Sequence, residues 1–133
     1  MEFLQKDEIF AMAQYSDNLQ DGVILMLSFD QLTPEEIRNI KVEDVETLTD
    51  RLSNETMKII KGAIKERKYI DVSNCGDHSS KYELKQSEYV VRGAEDGKVS
   101  EQEVHRRAQK IFNNYTYKGM TLADIRNAGK NNK

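Results

Sequence analysis

Cysteine and proline each occur once in these 133 residues, at Cys75 and Pro34. A single cysteine excludes an intramolecular disulfide and any metal site built from several thiolates, and it suits a reducing compartment. No apolar run approaches the ~20 residues that a membrane-spanning helix needs. The first ten residues, "MEFLQKDEIF", are acidic and lack the basic-then-apolar order of a secretory signal, so a cytoplasmic location is expected. Long Gly/Ser linkers, internal repeats and low-complexity tracts are missing too, and nothing marks a domain boundary. The expectation is one domain over 1–133, long enough to bury a real core, with 130–133 as a frayed tail.

Positive charge is scarce in the first two thirds of the chain. Residues 1–90 carry 11 Lys+Arg against 18 Asp+Glu, a net −7; residues 91–133 carry 9 against 5, a net +4, which together give the overall −3. Such asymmetry points to an anionic partner for the C-terminal third. Basic tails such as "GKNNK" also serve solubility alone, so charge by itself leaves both readings open.

What the sequence has in quantity is helix signal. A first helix is predicted from Lys6 to Tyr15, with Ile9, Phe10 and Ala13 on one face and acids in its first turn. A second spans Leu19 to Phe29; its core "VILMLSF" is apolar almost all round, which places it in the middle of the domain. Thr33, Pro34 and Glu36 then combine an N-cap, a first-turn proline and a capping box. A fourth helix starts near Ser53–Asn54, with Met57, Ile60 and Ile64 turned inward and "KERK" near its end.

The stretch "NCGDHSSKYELKQ" reads as a polar loop between two short strands, "YIDV" and "EYVV". Cys75 and His78 stand three apart there, which is half a zinc site. The only other histidine, His105, falls on a predicted helix, so an ordinary exposed loop is the better reading. No metal and no cofactor are expected.

A further helix starts at Ser100, whose hydroxyl and Glu103 form a second capping box. Val104, Ala108, Ile111 and Phe112 make its buried stripe. Gln102, Arg106, Gln109, Lys110 and Asn113 fall on the opposite face, a mixture of cations and amides that binds phosphates and reads base edges. A merely solvated face is the other reading of the same pattern. The last helix starts at Thr121, with Leu122 and Ile125 inward and "GKNNK" fraying after it.

In this order the motifs resemble the catalytic domain of the tyrosine recombinases, the phage integrase family, over nearly the whole chain. "FLQKDEIFAMA" is similar to the family's opening segment. "DQLTPEEIRNIKVEDVE" is similar to its arginine-bearing helix, with matches at Leu32, Glu36, Asn39, Lys41, Glu43 and Asp44. "YVVRGAEDGKVSEQEVHRRAQKI" and "TLADIRNA" are similar to the helix that lies on DNA and to the His-x-x-Arg element. The resemblance implies a mainly α fold with a small β element, truncated at the C-terminus.

The departures from the family pattern imply inactivity. The family uses a tyrosine nucleophile on a DNA phosphate, with arginines, a histidine and a lysine assisting. Its first arginine aligns with Thr33, which offers no charged fork to a phosphate. Its histidine aligns with Ala123, which transfers no proton. The lysine-bearing hairpin reads as cut away. Tyr115 and Tyr117 lie on the wrong side of the motif to be the nucleophile and read as packing residues. Only Arg126 remains.

The expectation is therefore a non-enzymatic, recombinase-like DNA-binding protein, a regulator of repressor type from a phage or mobile element. Carried over from the family, Gln102, Arg106 and Lys110 read or grip double-stranded DNA from the helix opened by Ser100. Arg126 holds the backbone, and Lys98, Lys118 and Lys130 add field. The alternative is a protein-interaction module that binds a larger recombinase or repressor, or a second copy of itself, without touching DNA. The −7 of the first 90 residues favours that alternative by repelling a phosphate backbone. Neither reading involves a membrane or a small-molecule substrate.

Overall fold

Ten of the eleven residues from Leu19 to Phe29 are buried, and the other elements are arranged around that helix. A computed structural model describes residues 5–16, 18–72, 79–93, 97–114 and 120–131, with backbone alone at 71–72, 79–82, 114 and 131. The chain runs α1 (Lys6–Gln14), α2 (Leu19–Phe29), α3 (Pro34–Asn39), two short 3-10 turns (Val42–Asp44 and Glu46–Leu48), α4 (Asn54–Lys65), β1 (Lys68–Val72), β2 (Ser79–Glu83), α5 (Glu101–Asn114) and α6 (Leu122–Asn131). It is a mainly helical fold with one small antiparallel hairpin. Helices α1, α4, α5 and α6 all pack on α2, and α3 packs on α5.

The helix starts follow local chemistry. Thr33 Oγ1 accepts from the Glu36 amide and the Glu36 carboxylate accepts from the Thr33 amide, while Pro34 occupies the first turn of α3. Ser53 caps α4 through the Thr56 amide. At α5 only half of the expected box forms. Ser100 Oγ accepts from the Glu103 amide, but the Glu103 carboxylate is drawn along the helix to Arg106 and Arg107.

Around α2 the buried apolar residues form one cluster: Ile9, Met12 and Ala13 of α1, Ile59, Ile60 and Ala63 of α4, Val104, Ala108, Ile111 and Phe112 of α5, and Leu122, Ile125 and Ala128 of α6. The inward face of α4 is therefore turned relative to the expectation. Thr56, Ile59, Ile60 and Ala63 meet α2, and Met57 and Ile64 pack half-buried at its edges. On α1, Met12 is buried where Phe10 was expected and Phe10 lies half-buried.

The strands also differ from expectation. β1 pairs with Ser79–Glu83, inside the stretch read as loop, in the register Lys68↔Glu83 to Val72↔Ser79. "EYVV" forms only an isolated bridge, Tyr89 to Lys41. Val90 and Val91 are both buried, so this segment crosses the core without the in–out alternation of a strand. The β1–β2 hairpin follows α4 directly.

α6 continues through Asn131 because Gly129 lies against the end of α2, where a Cβ would collide with the Phe29 carbonyl oxygen. That contact lies beside buried Ala128 and packs the last turn of α6 against α2.

Candidate nucleic-acid interface

Helix α5 carries a strongly two-faced sequence, and the structure divides its charges between the two faces. Gln102 and Arg106 are exposed on its first two turns, with Ser100 exposed at the cap. Arg106 is held by its own helix: Nε and Nη2 each lie 2.7 Å from a Glu103 carboxylate oxygen. Any phosphate approaching Arg106 competes with that carboxylate. Further along, Gln109 donates to the Asn113 side chain at 3.1 Å.

Lys110 does not join this face. Its ammonium turns inward, donating to the Tyr69 hydroxyl at 2.7 Å, lying 4.6 Å from the ring centroid and 3.8 Å from an Asp21 carboxylate oxygen. The helical spacing placed Lys110 outward, but a buried acid on α2 claims the cation, and the four-carbon stem is long enough to answer it.

The same acid organises a cluster that sequence reading missed. Arg107 is fully buried within the apolar stripe of α5. Its guanidinium lies 4.5 Å from the Tyr69 ring centroid, donates to Glu103 at 2.9 Å and to the Arg92 carbonyl at 2.9 Å, and stands 3.8 Å from Asp21. Tyr69 donates to Asp21, and Asn18 pairs both its amide groups with the backbone of Ile70. Burial pushes the Asp21 carboxyl above its usual range, against the pull of Arg107, Lys110 and the hydrogen bonds from Tyr69 and Asn18. Burial, with Asp21 beside it, also drives the Tyr69 phenol well up, which favours the protonated hydroxyl that donates to Asp21. At Glu103, burial pushes upward but the hydrogen bonds from Arg106 and the charge of Arg107 outweigh it, and the carboxyl sits below its usual range. A signal was available: Asp21 interrupts an apolar helix, and Arg107 falls between Val104 and Ala108 on the buried stripe.

The remaining expected residues are scattered. Lys98 reaches over the Tyr89 ring at 5.4 Å. Lys130 is exposed in the last turn of α6. Lys118, Cys75, His78, Tyr115 and Tyr117 lie outside the described residues. Thr121 and Asp124 open α6, with Asp124 accepting from the Thr121 amide at 2.9 Å, and Ala123 is exposed beside them. Thr33 is exposed and occupied as the α3 cap.

Arg126 is the one functional candidate that is half-buried with an open valence. Its Nη1 is screened from solvent and has no hydrogen-bond partner among the described residues. Its carbonyl accepts from Gln31 at 2.8 Å. Among the described residues, no group of three or more His, Cys, Asp or Glu is placed to hold a metal, and no helix is long and apolar enough to cross a membrane.

The chain belongs to a recombinase-related family. The chain is a member of the family described as MrpR, C-terminal catalytic domain, whose model matches residues 3–132. No curated protein matches it.

Proposed function

We propose that this domain is a tyrosine-recombinase-like module that binds double-stranded DNA without cutting it, serving a phage or mobile-element regulator of repressor type. The observation that carries the reading is Arg126. Its guanidinium is half-buried on α6 with Nη1 lacking a hydrogen-bond partner among the described residues, and a phosphate oxygen is an acceptor that suits a guanidinium fork once the side chain turns outward. The exposed start of α5 supplies the rest: Ser100, Gln102 and Arg106 toward the groove, with Lys98, Lys118 and Lys130 adding positive field, while Lys110 is turned away toward Asp21.

The reading departs from the word catalytic in the family description. Thr33 and Ala123 stand where the resemblance to tyrosine recombinases puts an arginine and a histidine, and neither side chain can clamp or protonate a phosphate. Tyr69, a described tyrosine close to the basic helix, is sealed and protonated.

A second reading has its own observation. Arg106 is already matched by Glu103 and Lys110 by Asp21 and Tyr69, and the first 90 residues carry −7, which suits a surface for a protein partner such as a larger recombinase, a repressor or a second copy. Titration against random-sequence duplex DNA over a salt series separates the two. The DNA reading expects affinity that falls linearly in log–log form with salt. An absence of binding at low salt, alone or as an oligomer, gives the function to the interaction module.

A further inference from the structure

We infer that Gln31 is the positioning residue that sets Arg126 for its phosphate contact, an inference that rests on the DNA-binding reading above. Gln31 is the one non-glycine residue with positive φ among the described residues, at 81°. It sits at the turn that ends α2, where the Leu32 amide reaches back to the Leu27 carbonyl at 3.0 Å and the Gln31 amide to Ser28 at 2.9 Å. This is the helix-stop geometry in which glycine is the usual occupant, because a Cβ is strained there. A glutamine at that point holds an unfavourable backbone conformation that glycine would avoid.

What the glutamine gains is reach. Its Nε2 donates to the Phe29 carbonyl at 2.9 Å and to the Arg126 carbonyl at 2.8 Å, joining the open end of α2 to the middle of α6 across 95 residues. Gly129 makes the room: a Cβ there would press on both Phe29 O and Gln31 Nε2. The amide therefore pins the backbone of the residue whose side chain carries the screened, unpartnered Nη1. Strain retained at one residue, spent on holding another, is the arrangement expected beside a working group. A role in docking α6 alone would be served by apolar contacts, which Leu122, Ile125 and Ala128 already provide.

The test is a double-mutant cycle on the whole chain with Gln31→Gly and Arg126→Ala, and with Gln31→Asn as a second variant. Glycine removes the strain and the amide together. Asparagine tolerates the left-handed backbone but is one methylene too short to bridge. The expected result is that both Gln31 variants keep the wild-type melting temperature or raise it. Both should weaken binding to a random-sequence duplex about three- to ten-fold, the range of one net hydrogen bond. Adding Arg126→Ala to either should cost nothing more than Arg126→Ala alone. Additive losses, or unchanged affinity in the Gln31 variants, would overturn the inference. If the wild type binds no duplex at all, the functional reading fails first, and the positioning is then read from the Arg126 Nε–H resonance. Ordered in wild type and averaged in Gln31→Gly supports it; identical spectra sink it.

Discussion

The phenol oxygen of Tyr69 stands 2.8 and 2.9 Å from the two carboxylate oxygens of Asp21. The same oxygen accepts from Lys110 at 2.7 Å, and Arg107 lies over the ring, so one tyrosine from β1 joins α2 to α5 through an acid and two cations. Asp21, Tyr69 and Arg107 are buried and Lys110 half-buried, and the cost of desolvating the acid is offset by the cations and hydrogen bonds around it.

Two cations on α5 that look equivalent in sequence should therefore behave differently. Lys110→Ala should cost about 1–3 kcal/mol in chemical denaturation, because it strips a charged hydrogen bond from the buried cluster. Arg106→Ala should cost less, because the residue is exposed and Glu103 keeps its bond to Arg107. On the DNA reading, Arg106→Ala should also weaken binding and lower the salt slope by about 1. Equal stability losses at the two positions would show that Lys110 is not held inward.

Leu25 and Leu27 have no accessible surface. Replacing either with alanine should cost roughly 2–5 kcal/mol, the transfer term plus the cavity left in a core hemmed by four helices. A loss well below 1 kcal/mol at both sites would mean that α2 is not the centre of the fold.

No covalent protein–DNA adduct is expected on nicked suicide substrates. On the proposed reading, Thr33 and Ala123 stand where the resemblance puts a charged clamp and a proton-transfer group, and the buried Tyr69 is bonded to Asp21. An adduct resolved by denaturing gel would restore the enzymatic reading outright.

The acid limb of stability should carry the mark of Glu103. Its folded pKa is lowered by Arg106 and Arg107 in excess of the upward push of burial. A carboxyl depressed in the folded state stabilises it fully above the ordinary value of 4.5, and that contribution disappears as pH falls from there through the folded pKa. Wild type should therefore exceed Glu103→Gln in stability near neutrality, and the gap should close on acidification. Asp21, raised by burial, contributes with the opposite sign: its share weakens as pH rises from its ordinary value of 3.8 toward the folded one. A gap between wild type and Glu103→Gln that is flat with pH would remove Glu103 from this role.

The parts of this fold that were legible in sequence are those decided within a few residues. α2 and its position came from one apolar stretch, the start of α3 from Thr33, Pro34 and Glu36, and the inward stripe of α5 from spacing alone. The parts that were not legible depend on partners far along the chain. β2 is a polar segment whose extended form is settled by pairing with β1, so its own composition suggested a loop. Lys110 turned inward because Asp21 lies 89 positions away in sequence yet 3.8 Å away in space. Gln31 gave no signal at all, since a glutamine in a left-handed turn makes sense only beside the Arg126 carbonyl.

Two charged residues sit at either end of the hairpin excursion. The Glu66 carboxylate accepts from the Leu19 and Gln20 amides at the start of α2, and the Arg92 guanidinium donates to the Ala63, Ile64 and Glu66 carbonyls at the end of α4. Gln20 ties the two together by bonding Ala63, Val90 and the Arg92 amide. The chain thus leaves the end of α4 and returns to it through a single buckle that also fastens the start of α2. Between those two ends the excursion stays fastened as well, through Tyr69 to Asp21 and Ile70 to Asn18, so an insertion that moved β1 would disturb the buried cluster and not merely lengthen a loop.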